Sequence, residues 1–230
     1  MASKTPIVLS VGGSLVVPKE GIDIKFLKSL KQLVAEFSKN GQKFIIVVGG
    51  GNTARQYQNA ARGLGELTRD DLDWLGIHAT RLNGHLLRTV FRDLAHPIMI
   101  KDPTQRKINW PESVLIAAGW KPGWSTDYVA TRLAKRFGAK TLINLSNIDF
   151  VYDKDPRKFP EAKKIKNINW KEFRKIVGNE WDPGMNVPFD PVASRLAEQI
   201  DLTVVVANGK KIKNLENIIS DRKFLGTVIS

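Results

Sequence analysis

Two short stretches place glycine where an anion could be held. Val11-Gly12-Gly13-Ser14 and Val48-Gly49-Gly50-Gly51 each end an apolar run, and each leads into residues at helical spacing. Glycine lets the backbone approach a ligand closely. The first N–H groups of a helix have no intrahelical partner and favour negative charge. One such junction alone is equally a plain strand-to-helix turn. Two further apolar runs end in small or polar residues, at Gly119 through Asp127 and at Ser146-Asn147-Ile148-Asp149. Loops that follow the strands of an open parallel sheet lie along one edge, where ligands bind. Four such ends in one chain point to several phosphates at one crevice.

The elements that must position these loops follow from periodicity. Phe44-Ile45-Ile46-Val47-Val48 has no polar interruption and reads as a strand buried on both faces. Pro6 to Val11 reads the same way. Leu27, Leu30, Val34 and Phe37 recur at helical spacing up to the stop at Asn40-Gly41, so residues 3–51 form a βαβ unit. A helix is expected from about Thr53 to Leu64. A longer one is expected from Thr68-Arg69-Asp70-Asp71, with Leu72, Leu75, Ala79, Leu82, Leu86, Val90 and Leu94 as its apolar stripe and His96-Pro97 as its close. Ile98-Met99-Ile100 reads as a short strand and Lys101 to Pro111 as a loop. Residues 113–145 repeat the βαβ pattern. Between Phe150 and Gly184 only one short helix is expected, near Trp170 to Val177. A helix after Pro191, a strand over Leu202 to Val206, a helix over Leu215 to Ile219 and an edge strand at Gly226 to Ile229 complete the chain. The fold class is α/β with a mostly parallel sheet.

Composition narrows the chemistry. The 230 residues are 42% hydrophobic, enough for one large α/β domain. No cysteine is present, which excludes disulfides, thiolate metal sites and cysteine nucleophiles and fits a cytoplasmic location. The first residues precede no long apolar run, so no signal peptide is expected, and no run of about 18 apolar residues occurs. The net charge is +13 at pH 7, but the lysines are scattered, and the densest group, Lys154 to Lys175, is broken by acids, Ile165, Ile168 and Trp170. That pattern describes a solvated basic surface rather than a nucleic-acid stripe. No G-x-x-x-x-G-K-[ST], no G-x-G-x-x-G after a strand and no G-x-S-x-G elbow occurs. His78, His85 and His96 lack metal-ligand spacing with a partnering Glu, so no protein-held metal is expected.

Taken in order, the motifs resemble the amino-acid-kinase superfamily, and within it the uridylate (UMP) kinases of the archaeal-type branch. The likeness is carried by Val11-Gly12-Gly13-Ser14, by Val48-Gly49-Gly50-Gly51 with Ala54-Arg55, and by Asp73-Trp74-Leu75-Gly76-Ile77 with Thr80-Arg81-Leu82-Asn83. It continues through Gly119 to Asp127, Ser146 to Asp149 with Val151 to Pro156, and Phe189-Asp190-Pro191. The resemblance implies a three-layer α/β/α amino-acid-kinase fold in one domain over 1–230. About 1–112 would be the acceptor (UMP) part and 113–230 the ATP part. It implies phosphoryl transfer from ATP to UMP, with Mg²⁺ carried by the nucleotide, and a homohexamer. Gly12, Gly13, Ser14, Gly51 and Arg55 would hold ATP phosphates, and Gly50 would meet UMP. Asp73 would bond the UMP ribose, while Trp120, Lys121, Pro122, Gly123, Trp124, Ser125 and Thr126 would wrap its base and phosphate. Asp127 would organise the loops around the transferring group. Ser146, Asn147, Tyr152 and Asp155 would bind adenosine. On this reading Gly50→Val should abolish transfer while leaving the fold largely intact.

Three departures from the family pattern stand out. Ser10 occupies a position where many members have lysine, Asp149-Phe150 stands where Asp-Gly is usual, and Arg195 replaces a frequent lysine. Arg55, Lys154 and Arg195 are the candidates for the cation facing the γ-phosphate. The competing readings are a relative acting on a carboxylate, carbamate or phosphonate, and a non-catalytic nucleotide or oxyanion storage module. A nucleic-acid binder would rest on charge alone.

Overall fold

A computed structural model describes residues 5–156, 158–180, 185 and 187–230. Its centre is a seven-stranded sheet in which β2 (Phe44–Val48) pairs in parallel with both β1 (Ile7–Val11) and β3 (Val114–Ala117). On the other side β1 pairs with β4 (Thr141–Ser146) and β4 with β8 (Thr203–Asn208), again in parallel. The full order is β3-β2-β1-β4-β8-β9-β7. Here β9 (Thr227–Ile229) runs antiparallel to β8, and β7 (Asn167–Ile168) lies parallel to β9. A separate antiparallel pair joins β5 (Val151–Tyr152) to β6 (Lys164–Ile165).

The continuous apolar runs have the expected cause. All five residues of β2 are buried, and successive side chains face opposite layers. Ile45 and Val47 join Val8, Leu115 and Leu142 in a core with α5 (Thr126–Phe137), α6 (Trp170–Val177) and α7 (Pro191–Gln199). Phe44, Ile46 and Val48 join Leu9 and Val11 in a second core with α2 (Ile24–Lys39), α4 (Arg69–Val90) and α8 (Ile212–Ile219). Each fully buried side chain of this size contributes about 1.5–3 kcal/mol. The result is the three-layer α/β/α architecture. The same alternation turns Ser10, between Leu9 and Val11, toward α5.

Several elements differ from expectation. The Gly226–Ile229 stretch is not an edge: β9 is flanked by β8 and β7, and β7 takes the edge. Two-residue strands such as β5, β6 and β7 are too short for a periodicity signal. Ile98 to Ile100 forms no strand; Ile100 alone bridges to Ala117, and Ala95 bridges to Val114. The chain from β3 through α5 enters β4, which pairs with β1 rather than β3, so this crossover spans two strands. Helix α4 ends at Val90, with Phe91 as its C-cap, and Leu94 lies beyond it. Its start is a capping box: Thr68 and Asp71 each bond the other's backbone N–H.

The largest difference concerns the face that α4 buries. The stripe Leu72, Leu75, Leu82, Leu86 and Val90 is half-buried or exposed, with Leu82 63% exposed. The buried face is Asp73, Ile77, Ala79, Thr80, Asn83, Gly84 and Leu87. Gly84 allows the close approach to the sheet: a Cβ there would lie 2.3 Å from Met99 Sδ.

Candidate functional site

The two glycine turns interlock at the carboxyl edge of the sheet. The first leads into α1 (Gly13–Val16) and the second into α3 (Gly51–Arg62). A Cβ on Gly13 would stand 2.1 Å from the Gly51 nitrogen, and one on Gly51 would stand 2.3 Å from the Gly13 carbonyl oxygen. Gly51 also has φ +63°, a left-handed conformation that glycine adopts without strain. No side chain fits between these backbones. Gly50 has an ordinary right-handed backbone, but a Cβ there would meet the Ala54 Cβ at 2.6 Å and the Gly76 carbonyl at 3.3 Å. Gly50→Val would therefore wedge α3 from α4, and the expectation that it leaves the fold largely intact does not hold.

Beside this junction lies a cavity of about 280 Å³. Gly50, Gly51, Ala54, Arg55 and Gln58 of the second turn and α3 form one wall. Asp73, Gly76, Ile77 and Thr80 of α4 form another, and Gly119 with Trp124 to Asp127 closes the third. Met185, Val187 and Asp190 complete it. Gly50, Gly51, Arg55, Asp73, Trp124, Ser125, Thr126 and Asp127 were all expected at the site, and all line this one space. Arg55 is the one cation lining it among the described residues. Lys154 instead lies 3.5 Å from Glu161 and over the Phe159 ring, and exposed Arg195 donates to the Asn179 carbonyl, so neither faces the cavity.

The loop after β3 is held by α4. Thr80 Oγ1 accepts from the Gly119 N–H at 2.8 Å, and the Arg81 guanidinium donates to the carbonyls of Gly119 and Trp120 at 3.2 and 2.7 Å. Asp73 accepts from the Gly123 N–H at 2.7 Å, with Gly123 at φ +85°. Burial pushes the Asp73 carboxyl up, partly opposed by that bond. Trp120, Trp124 and Tyr128 form a row of rings, with Trp124 stacked on Tyr128 at 4.1 Å and Lys121 4.4 Å from the Trp120 ring. Trp120, Lys121, Pro122 and Gly123 form the loop's outer turn rather than the cavity wall. Ser125 caps α5 through the Tyr128 N–H, so Thr126 and Asp127 sit in the first turn.

Asp127 ties three elements together. It accepts from the Ser10 hydroxyl of β1 at 2.8 Å and from the Asp190 N–H at 3.3 Å. Burial pushes its carboxyl up to about 6, with the Ser10 bond acting against that and the neighbouring Asp190 charge adding to it. Asp190 itself caps α7 through the Ala193 N–H and is raised by burial. Ser10 thus places a neutral hydroxyl against the Asp127 carboxyl.

The expected adenosine residues lie apart from the cavity wall, beyond β4. Ser146 ends that strand and its hydroxyl accepts from the Ile148 N–H, Asn147 is exposed, and Tyr152 lies half-buried on β5. The Asp155 carbonyl accepts from the N–H groups of Lys158 and Phe159. Asp149 pairs with Lys211 at 2.8 Å, which holds its carboxyl below the usual range, and Phe150 is buried under Lys164.

Residues 5–208 match the model of the amino acid kinase family. The chain belongs to the amino acid kinase family. It is 35% identical to a uridylate kinase of Methanospirillum hungatei, over 97% of this chain and 94% of that one. It is 34% identical to a uridylate kinase of Hyperthermus butylicus, over 99% of each. The crystal structure of uridylate kinase from Archaeoglobus fulgidus superposes with a TM-score of 0.80 at 28% identity, covering 97% of this chain and 99% of that one.

Thr80, Arg81 and Asn83 carry the resemblance but take no role from the sequence, and nothing in the sequence marks Gln58 or Asp190 as cavity residues. The available signal was polar residues spaced along an otherwise apolar helix.

Proposed function

We propose that this chain is a uridylate kinase, passing the γ-phosphoryl group of ATP to UMP to give UDP and ADP. The observation that carries the reading is the single cavity in which Asp73, Arg55, the Gly50-Gly51 turn and Trp124 to Thr126 meet. It offers a carboxylate for a ribose, N–H groups and a guanidinium for phosphates, and a tryptophan face for a base. The acceptor side would comprise about 1–112 together with β3 and its loop. The ATP side would comprise the rest, with Ser146, Asn147, Tyr152 and Asp155 toward adenosine, while Gly12, Gly13, Ser14 and Gly51 of the first part would reach across to the ATP phosphates.

A UMP phosphate oxygen attacks the γ-phosphorus in line. The new O–P bond forms as the bond to the β-phosphate oxygen breaks, and ADP leaves. The attacking group is largely a dianion at pH 7, with a second pKa of about 6, so no general base is needed. The protein aligns two anions and offsets their repulsion, through the turn N–H groups and Arg55. Asp127 accepts from β1 and the α7 cap, and so fixes the first turn of α5 that carries Thr126 toward the UMP phosphate. ATP would bring Mg²⁺ as its own complex. Both Asp127 oxygens are already engaged, by Ser10 and the Asp190 N–H.

The assembly this reading carries is a cytoplasmic homohexamer serving pyrimidine nucleotide synthesis, with the exposed apolar face of α4 at a subunit contact. The test is a coupled ADP-release assay offering UMP, CMP, acetylglutamate and carbamate as acceptors. UDP formation confined to UMP is expected; no turnover with UMP overturns the reading.

A further inference from the structure

Asn83 is 3% exposed and lies within α4, one turn from the residues that line the cavity. Its side-chain amide nitrogen donates to the Gly49 carbonyl at 2.9 Å and to the Gly50 carbonyl at 3.1 Å. These two carbonyls belong to the peptide units whose N–H groups are those of Gly50 and Gly51. In a trans peptide the N–H points opposite to the C=O. The structure has no cis peptide, and the right-handed backbone of Gly50 (φ −76°, ψ −25°) keeps the two units roughly parallel. One NH₂ group can therefore hold both. By drawing both carbonyls toward α4, it turns both N–H groups away from α4, on a turn whose two glycines line the cavity. Among the described residues, no main-chain acceptor outside regular elements takes either N–H.

We infer that Asn83 is a positioning residue for both nucleotides at once: it aims the Gly50 N–H at the acceptor phosphate and the Gly51 N–H at the donor phosphates. The inference rests on the uridylate kinase reading. It adds a residue, outside the cavity wall, that sets the relative alignment of the two reacting groups. The Ala54 N–H also bonds the Gly50 carbonyl at 3.3 Å, but among the described residues only the Asn83 amide spans both carbonyls. Loss of the anchor should be felt where alignment matters most, in the chemical step. A misplacement of about 1 Å there costs about 100-fold in rate.

The test uses Asn83→Asp, which keeps the shape and removes both donors, beside Asn83→Ala. For each folded variant, kcat is expected to fall about 100-fold while KM for UMP and for ATP stays within about threefold, as for an interaction expressed mainly in the transition state. In the unsubstituted protein, the ¹H–¹⁵N resonances of Gly50 and Gly51 should shift on adding UMP and a non-hydrolysable ATP analogue. In Asn83→Asp those responses should be lost. A kcat within threefold of the parent in a folded variant overturns the inference, as does a raised KM with kcat unchanged. Should both variants fail to fold, unmoved Gly50 and Gly51 resonances in the parent protein at saturating ligand overturn it. A parent protein that makes no UDP instead overturns the uridylate kinase reading itself.

Discussion

The two faces of α4 invert the usual rule. One face carries Asp73, Thr80 and Asn83, and it is buried; the other carries Trp74, Leu82 and Leu86, and it is partly or largely exposed. A polar group is buried at little cost when its bonds are complete, and here each is met by a backbone partner from a loop. Thr80 and Asn83 contact the loop at 119 and the turn at 49–50, while Asp73 reaches the loop again at Gly123. The buried polar face is therefore the one that builds the site. The opposite face leaves Trp74 41% and Leu82 63% exposed, while Leu86 still packs against the second core.

Substitutions on the two faces should separate these roles. The largest effect is expected at Leu87, which is fully buried among Val48, Phe91 and Ile116. Leu87→Ala should cost about 2–5 kcal/mol in chemical denaturation. Thr80→Val keeps the volume but leaves the Gly119 N–H without its acceptor, and should cost about 1–3 kcal/mol together with a loss of kcat/KM for UMP. Leu82→Ser, on the exposed face, should change monomer stability by less than about 0.5 kcal/mol. On the proposed homohexamer, its effect belongs instead in sedimentation velocity, as a smaller assembly. A large stability loss at Leu82 with an unchanged assembly would reverse the comparison.

A buried polar group across the cavity sharpens the same contrast. Asp127 also has bonded oxygens, yet its carboxyl is raised to about 6, because burial outweighs the bonds from Ser10 and the Asp190 N–H, and the Asp190 charge adds to it. A folded-state pKa above the unfolded value of about 3.9 means that the native state binds the extra proton between those two values. Stability therefore falls as pH rises through that window and stays lower above it. Relative to Asp127→Asn, the unsubstituted protein should lose melting temperature from about pH 4 to about pH 6.5 and then keep a constant gap. A gap that does not change with pH would show that Asp127 is ionised without penalty.

Much of this was legible in the sequence, for identifiable reasons. Phe44 to Val48 reads as a doubly buried strand because both of its faces are apolar, and the glycines after it mark the turn that the backbone contacts demand. Thr126 and Asp127 could be placed because they close the small and polar stretch, Gly119 through Asp127, that follows an apolar run. The register of α4 was misread because leucine frequency, not the polar bonds waiting in the fold, determined the stripe. No periodicity signals that Asn83 will meet two carbonyls 33 and 34 residues away. The position of β9 between β8 and β7 was hidden for a similar reason: a two-residue partner leaves no pattern.

The bonds that hold the loop and turn to α4 join residues 33 to 50 apart in the chain. Contacts of that span close large loops, so they form only once distant segments have already met. Both halves of the site consequently share one fate. The Gly119 and Gly123 amides, bonded to Thr80 and Asp73, should exchange with solvent deuterium at the rate at which α4 itself opens, although Gly123 lies in an exposed turn. Folding of the helix and assembly of the place where the nucleotides meet are then one cooperative event, with no partly built site in between.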